Sequence, residues 1–440
     1  MKKNRLTAIV LVIMVMVMLL GGCGSKSEGN NVGDDGQKVT PSANTAKEET
    51  PTEATEDVKL TIWIAGSGDE ITDKAYRAVL DAYCKEHSNV SYELTFITWA
   101  DYFTKLNTGL IGGTGPDIFM LGYGQMGSVQ AAGSLLPLNS YIPEDWDGYD
   151  DFSENILGIC QKDEEYYGLF RPSTRTFMYR KDIAEQNGVT EEDLHVSSQE
   201  DLVNLAKKMT VKDANGNTQI YGMDIDPDSE QFFYVFYAQL SDKPSLWKED
   251  YTANFNNEEA EKALETFKML YDEGYACLLD PSATTTGLAS GISAISQSAD
   301  AQYATADAAF PGQIGVIKND MNTLLIGDYF AVNNATKHPG EAADLLLHMF
   351  SKESGDTFAK LQGQFSGRKS LEESYIAINP DYENIVYSYQ NSVSYGKSMH
   401  PKFNEDVNVL RTTLEGIFYD EDIKKTLSSM EENWNSILAK

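Results

Sequence analysis

The sequence predicts an α/β fold in two lobes, each a mostly parallel sheet flanked by helices. Three observations lead there. From Val58 onward, β-rich segments alternate with amphipathic helical ones, the pattern of a parallel sheet covered on both faces. What remains of the 440 residues suffices for two domains of ordinary size. The first 57 residues stand apart, with no pattern able to build a core.

Taken from the start, Lys2, Lys3 and Arg5 precede an apolar run from Leu6 to Leu20. That run is too short and wrongly flanked for a spanning helix, so residues 1–22 read as a cleaved signal peptide. It stops at Leu20-Gly21-Gly22-Cys23, which resembles the lipobox of bacterial lipoproteins. The resemblance implies a lipidated Cys23 that anchors an exported chain to the outer face of the cytoplasmic membrane, with more than one acyl chain for stable hold. Residues 23–57 continue in Ser, Thr, Asn, Gly, Glu, Ala and Pro without an aromatic residue. So little apolar surface cannot offset ordering entropy, and the segment reads as a disordered acidic tether.

Residues 58–64 alternate as a strand, and 72–86 form a helix with Tyr76, Val79, Leu80 and Tyr83 on one face. A second strand at 90–97, a helix at 99–111, a short strand at 117–121 and a helix from Met126 to Gly133 follow. In such a sheet ligands sit on loops at the carboxyl ends of strands, here residues 65–70, 98–101 and 122–126. The second half repeats the style with a strand at 176–180, a Ser-capped helix at 198–209, an Asn215-Gly216 turn and a periodic helix at 257–273. Strands at 292–296, 314–317 and 328–332 and helices at 339–352, 405–418 and 421–439 complete it.

A formal charge of −32 excludes a nucleic-acid surface and charge-driven adhesion to anionic lipid, and it favours a soluble monomer. With Cys23 committed to lipid, Cys84, Cys160 and Cys277 show no metal spacing, and the sequence does not say whether any two of them pair. The five histidines are scattered, and no H-E-x-x-H, G-x-S-x-G or P-loop occurs, so nothing assigns a nucleophile or a general base. The chain reads as non-enzymatic, without cofactor or metal. Asp224-Ile225-Asp226-Pro227-Asp228-Ser229 begins like a calcium loop but lacks the Gly at position six and the Glu at position twelve, and Asp213-Ala214-Asn215-Gly216-Asn217 fails similarly. Gly122-Tyr123-Gly124-Gln125-Met126-Gly127 matches G-x-G-x-x-G. It follows the third strand of an exported chain rather than the first, which favours close backbone approach to some other ligand over a dinucleotide.

Several segments, taken in order, carry a family likeness. They are residues 60–64 with Trp63, Gly115-Pro116-Asp117-Ile118-Phe119, Gly133-Ser134-Leu135-Leu136-Pro137-Leu138, Tyr167-Gly168-Leu169 leading to Met178-Tyr179-Arg180-Lys181-Asp182, the helix at 339–350 and the loop at 363–370. Together they resemble the extracellular solute-binding proteins of ABC importers, the sugar-binding group that includes maltose-binding protein. The resemblance implies a type II periplasmic-binding-protein-like fold with discontinuous lobes, 58–170 plus 322–385 and 171–321 plus 386–440. A hinge would close them on a small solute, a mono- or oligosaccharide, handed intact to membrane permease subunits.

Positions matching the family's ligand segments are Ser67, Asp69, Glu70, Trp99, Gly122, Tyr123 and Gln125 on the first lobe. On the second they are Arg171, Ser173, Arg175, Asp224, Phe232, Phe233, Ser296 and Gln297, and on the return Asp328, Tyr329 and Arg368. A sugar needs aromatic planes for its C–H faces and polar groups for its hydroxyls. Phe232 and Phe233 fit a buried helix equally well. Arg171 and Arg175 fit a fork onto ligand oxygens, or ion pairs with Asp163, Glu164 or Glu165. Gln297-Ser298-Ala299-Asp300 departs from the aromatic many relatives carry there, which argues against a long oligosaccharide stack at that end. Two other readings stay open, an exported carbohydrate-active enzyme and a surface adhesin lipoprotein.

Overall fold

The computed structural model describes residues 56–438 except 67, 228, 243, 281–284 and 395–399. The expected signal peptide, Cys23 and all but the last two tether residues lie outside the described residues, as does Ser67. Among the described residues no helix is long and apolar enough to cross a membrane.

Strand β1 (Val58–Ala65) buries Val58, Leu60, Ile62 and Ile64 at period two. Along its whole length it pairs in parallel with β2 (Val90–Ile97), and on its other side with β3 (Ile118–Gly122). Parallel pairing requires crossovers. These are α1 (Glu70–Glu86), which turns Ala75, Tyr76, Val79, Leu80 and Tyr83 inward, and α2 (Trp99–Gly112). The short α3 (Met126–Ala131) follows β3.

Two long strands carry the sheet onward, Leu169–Arg180 and Thr323–Val332. Thr323–Val332 runs antiparallel to β3, with Asp328 opposite Gly122, and antiparallel to Leu169–Arg180, with Asp328 opposite Arg171. Beyond Thr174, Leu169–Arg180 takes new antiparallel partners, Ile295–Ala299 and Ile314–Val316. The result is one mixed sheet passing from lobe to lobe. Periodicity finds only the ends of the two strands, 176–180 and 328–332, because Arg171, Pro172, Ser173 and Arg175 interrupt the first one's apolar pattern. The expected parallel pairing holds for β1–β3 and for Met223–Ile225 with Ala276–Leu278, whereas the two long strands pair antiparallel with each other and Thr323–Val332 pairs antiparallel with β3.

The second lobe is built on helix Glu230–Leu240, in which every residue from Phe232 to Ala238 is buried. A helix apolar all round sits at the centre of a core. The helix expected over 339–352 ends at Met349, and Ser351 opens another, Lys352–Gln362, its hydroxyl accepting from the Ser354 amide at 3.1 Å. The helix expected over 405–418 is Phe403–Arg411 followed by a 3-10 stretch, Leu414–Tyr419. Cys84, Cys160 and Cys277 are free thiols.

Arg368, expected to reach a ligand, is instead fully buried. Its guanidinium donates to Asp151 at 2.7 Å, Asp147 at 3.0 Å and the Phe350 carbonyl at 2.9 Å, and it stacks on Phe152. Asp151 is also buried and accepts from the Ser370 amide and hydroxyl. This cluster ties the loop after Lys352–Gln362 to residues 147–152. Removing one partner of a buried pair leaves an uncompensated charge. Arg368→Met should therefore lower the free energy of unfolding by about 3–5 kcal/mol in urea titrations, while leaving solute affinity of the folded fraction unchanged.

Candidate functional site

The carboxyl ends of β1, β2 and β3 converge on one set of loops. Gly66 and Gly68 follow β1 with φ of +127° and +62°, and a Cβ on Gly68 would lie 2.6 Å from the Phe96 ring, so only glycine lets the loop pass. Asp69 caps α1: its carboxylate accepts from the Ile71 and Thr72 amides and the Thr72 hydroxyl. Burial alone would raise its pKa, and these hydrogen bonds hold it below the usual carboxylate value. Asp69 and Glu70 are both exposed at this rim.

Trp99 opens α2 and is 47% exposed, although its ring is backed by Phe103 and Tyr102. An aromatic plane supported on one side and left open elsewhere is a platform for the C–H face of a solute. Gly122 lies against it: a Cβ there would stand 3.5 Å from Trp99 Cζ3 and 3.6 Å from Gln125 Oε1. The Gln125 side chain accepts from the Gly122 amide at 3.1 Å. Tyr123, by contrast, is buried against Phe170, Tyr329 and Phe403.

Register brings the polar groups together. Gly122, Asp328 and Arg171 are directly opposite one another across three strands, so they share a face, and Ser173 and Arg175 follow at period two. Ser173 donates to Asp300 at 2.5 Å, and Arg175 hydrogen-bonds Gln231 at the start of the central helix of the second lobe. Asp328 is partly exposed. Burial pushes its pKa up to about 7, against the opposing pull of Arg171 and Arg175 and with further upward pressure from Asp300. Burial likewise lifts Asp300 to about 6 despite its bonds from Ser173 and the Ala301 amide.

Arg171 turns inward. It donates to the Tyr76 hydroxyl at 3.0 Å, and its guanidinium lies 4.0 Å from the Phe358 ring centre and 4.6 Å from that of Phe330. Among the described residues it forms no pair with Asp163, Glu164 or Glu165: it braces α1 and Lys352–Gln362 against the sheet, and its Nη2 is buried without a hydrogen-bond partner.

Other expected positions are used by the protein itself. Phe232 packs on Phe236 and Phe267, and Phe233 on Tyr237 and Phe255, both within the core. Tyr329 is fully buried against Phe170. Asp224 is buried and accepts from Ser293 and Ser296, and a Cβ on Gly287 would come within 2.5 Å of it. Burial raises the Asp224 carboxyl to about 6, and the two serine hydroxyls engage it within the protein. Gln297 is half-buried on the strand beside Phe177. The Asp213 carboxylate is held by the Asn215 and Asn217 amides as a turn. Gln231 and Asp300 join the site without having been expected there. Their only sequence signals are a polar residue in the first turn of an apolar helix and a carboxylate at a strand end.

The raised carboxyls have a consequence for stability. Folded Asp328 keeps its proton to about pH 7, against an ordinary value of 3.8. That contribution is complete below about pH 4 and is lost as pH rises to 7, at up to about 1.4 kcal/mol per unit. Asp224, Asp300 and Asp406 act in the same direction up to about 6, whereas Asp193 and Asp320, held down at about 2, act only below the ordinary carboxylate range. Urea midpoints should fall between pH 5 and 7, and Asp328→Asn should make that fall shallower.

The family model for bacterial extracellular solute-binding proteins matches residues 67–356. A binding protein of Brucella abortus (strain 2308) is 24% identical over 204 residues, 46% of this chain and 48% of its own length, so the match spans about half the length of such curated relatives. Among solved structures, the ABC transporter solute-binding protein of Thermotoga lettingae TMO, bound with alpha-D-tagatose, has a TM-score of 0.75 at 20% identity, over 86% of this chain and 99% of that one. An ABC substrate-binding protein from Listeria monocytogenes in complex with cycloalternan gives 0.75 at 21% identity, over 87% and 99%. The maltose/maltodextrin-binding domain of Bdellovibrio bacteriovorus, bound to maltotriose, gives 0.72 at 16%, over 87% and 100%. At these identities the likeness is one of fold, the two-lobed binding-protein fold. With the family model spanning most of the folded part, the chain belongs to the bacterial extracellular solute-binding proteins.

Proposed function

We propose that this chain is the solute-capturing lipoprotein of an ABC importer and that its solute is a mono- or oligosaccharide. Lobes of residues 58–170 plus 322–385 and 171–321 plus 386–440, hinged on the two long strands, close over the sugar and present it intact to permease subunits. Cys23 carries the lipid, the tether gives reach, and the protein works as a monomer.

One observation carries the sugar reading: a half-exposed Trp99 stands at the head of a row in which Gly122, Asp328, Ser173 and Arg175 follow in register, with Gln125 and Gln231 beside them. A pyranose offers an apolar face and a polar edge, and this row has one group for the first and several for the second. The sugars bound by the Thermotoga lettingae, Listeria monocytogenes and Bdellovibrio bacteriovorus proteins support the same class. Of the residues matched to ligand segments, we retain Trp99, Gly122, Gln125, Ser173, Arg175 and Asp328, with Asp69, Glu70 and Gln297 at the rim, and Ser67, which lies outside the described residues. Affinity on the order of micromolar, about −8 kcal/mol, balances capture against release.

Isothermal titration against a panel of mono- and oligosaccharides, amino acids, peptides and polyamines tests the reading. A sugar should bind, and it should be recovered chemically unchanged after long incubation. Trp99→Ala should weaken it by at least about tenfold, or 1.4 kcal/mol, without lowering the melting temperature of the free protein. Turnover of the sugar would favour an exported enzyme, and the absence of any small-molecule binding would favour an adhesin.

A further inference from the structure

The turn Gly122-Tyr123-Gly124-Gln125 faces two ways. On one edge Gly122 lies against both Trp99 and the Gln125 amide oxygen. On the other, Phe403 of the second lobe lies against Gly124. Phe403 opens helix Phe403–Arg411, which is tied into that lobe by Arg411 to Glu230 at 2.6 and 2.8 Å and by Lys402 to the Ile437 carbonyl at 2.5 Å. Its ring packs at a tilt, 4.9 Å between centres, on Trp247, which packs in turn on Trp434. It meets the edge of Tyr123 at 5.7 Å, and only 2% of Phe403 is exposed.

Gly124 has φ of +85°, and a Cβ built on it would lie 2.0 Å from Phe403 Cδ1 and 2.2 Å from Cε1. Both the backbone conformation and the ring therefore demand glycine. Gly124 moves with β3 and Phe403 with the Trp247–Trp434 cluster, so rotation of the lobes about the long strands must separate the two residues. Separation exposes the Phe403 ring and the side of Tyr123 to water, an opposing force that acts whether or not a solute is present.

We propose that Phe403 seated on Gly124 is a closure latch that sets how long the cleft retains its solute. The inference rests on the solute-capture reading above and names positioning residues for it. Neither side chain needs to touch the solute: the latch immobilises the turn that carries Gly122 and Gln125, and it biases the ligand-free chain toward the closed form.

A double-mutant cycle tests it, read by X-ray scattering of the ligand-free chain and by dissociation kinetics of whichever sugar the wild type binds. Gly124→Ala and Phe403→Ala should each increase the radius of gyration of the free chain and speed dissociation about tenfold, with association rates little changed. In the Phe403→Ala background, Gly124→Ala should change both readouts by less than it does alone, because the ring it collides with is gone and only the cost of a side chain at φ +85° remains. Phe403→Leu, which keeps apolar volume in the Trp247 cluster without a ring, serves as the single variant if Phe403→Ala does not fold. Wild-type scattering and dissociation in both single variants would overturn the latch, as would effects that multiply independently in the double mutant. A wild type that binds no sugar, with the scattering cycle as described, would instead overturn the sugar reading and leave the latch standing.

Discussion

The antiparallel pairing of Leu169–Arg180 with Thr323–Val332 is the constraint on which the rest of the molecule hangs. Register within a sheet fixes which side chains share a face, and a slip of one residue would send every one of them to the opposite side. Here the register sets Asp328 between Gly122 and Arg171. It thereby sets the Asp328 carboxyl, rather than the neighbouring Tyr329 side chain, on the same face as Arg171. The same two strands are the connection between lobes. Extended strands can distribute a hinge rotation over several φ and ψ angles without breaking a core, so the element that places the polar row is also the one about which the cleft can open.

Placing charged residues in the middle of a sheet has a cost, and the structure meets it in part, since Arg171 Nη2 is buried without a hydrogen-bond partner. Arg171 is held by a tyrosine hydroxyl and by aromatic faces on two sides, contacts that suit a planar, weakly hydrated guanidinium and would not suit lysine. Asp224 lies fully inside a cage of two serine hydroxyls and helix amides. Asp328 has charged neighbours and keeps part of its surface exposed. That exposure distinguishes it from Asp224, Asp300 and Asp406, which are buried. A group whose hydrogen-bonding capacity the protein leaves unfilled is available to a solute hydroxyl, and one that is saturated is not.

Much of the first lobe was legible in the sequence, since β1, β2, α1 and α2 follow clean periods of two and 3.6 and their boundaries agree with the structure to within two residues. Trp99 was legible for the same reason: its place just after β2 puts it on a loop at a strand's carboxyl end. Phe232 and Phe233 were misleading because a run of aromatics reads alike in a core helix and in a sugar cleft, and only burial separates them. Arg368 and Asp224 were misleading in the opposite sense, as charged residues that the chain uses to tie distant loops together. Gln231 and Asp300 escaped because their partners Arg175 and Ser173 are 56 and 127 positions away in the chain. No local pattern encodes a contact of that separation.

The G-x-G-x-x-G segment shows why a motif must be read through the physics of its place. In a dinucleotide fold the glycines bring backbone up to a pyrophosphate. Here Gly122 leaves room for the edge of an indole, while Gly124 takes a left-handed turn conformation and admits a phenyl ring from the other lobe. The shared feature is geometric: a strand that turns at once into a helix brings its backbone to the surface, and removing Cβ atoms lets something flat approach it. Because the solute-facing edge and the lobe-facing edge belong to a single four-residue turn, a shift of that turn by a few tenths of an ångström is felt at both. Communication between cleft and closure therefore requires no path through the core. It follows from two close approaches built on one short stretch of backbone.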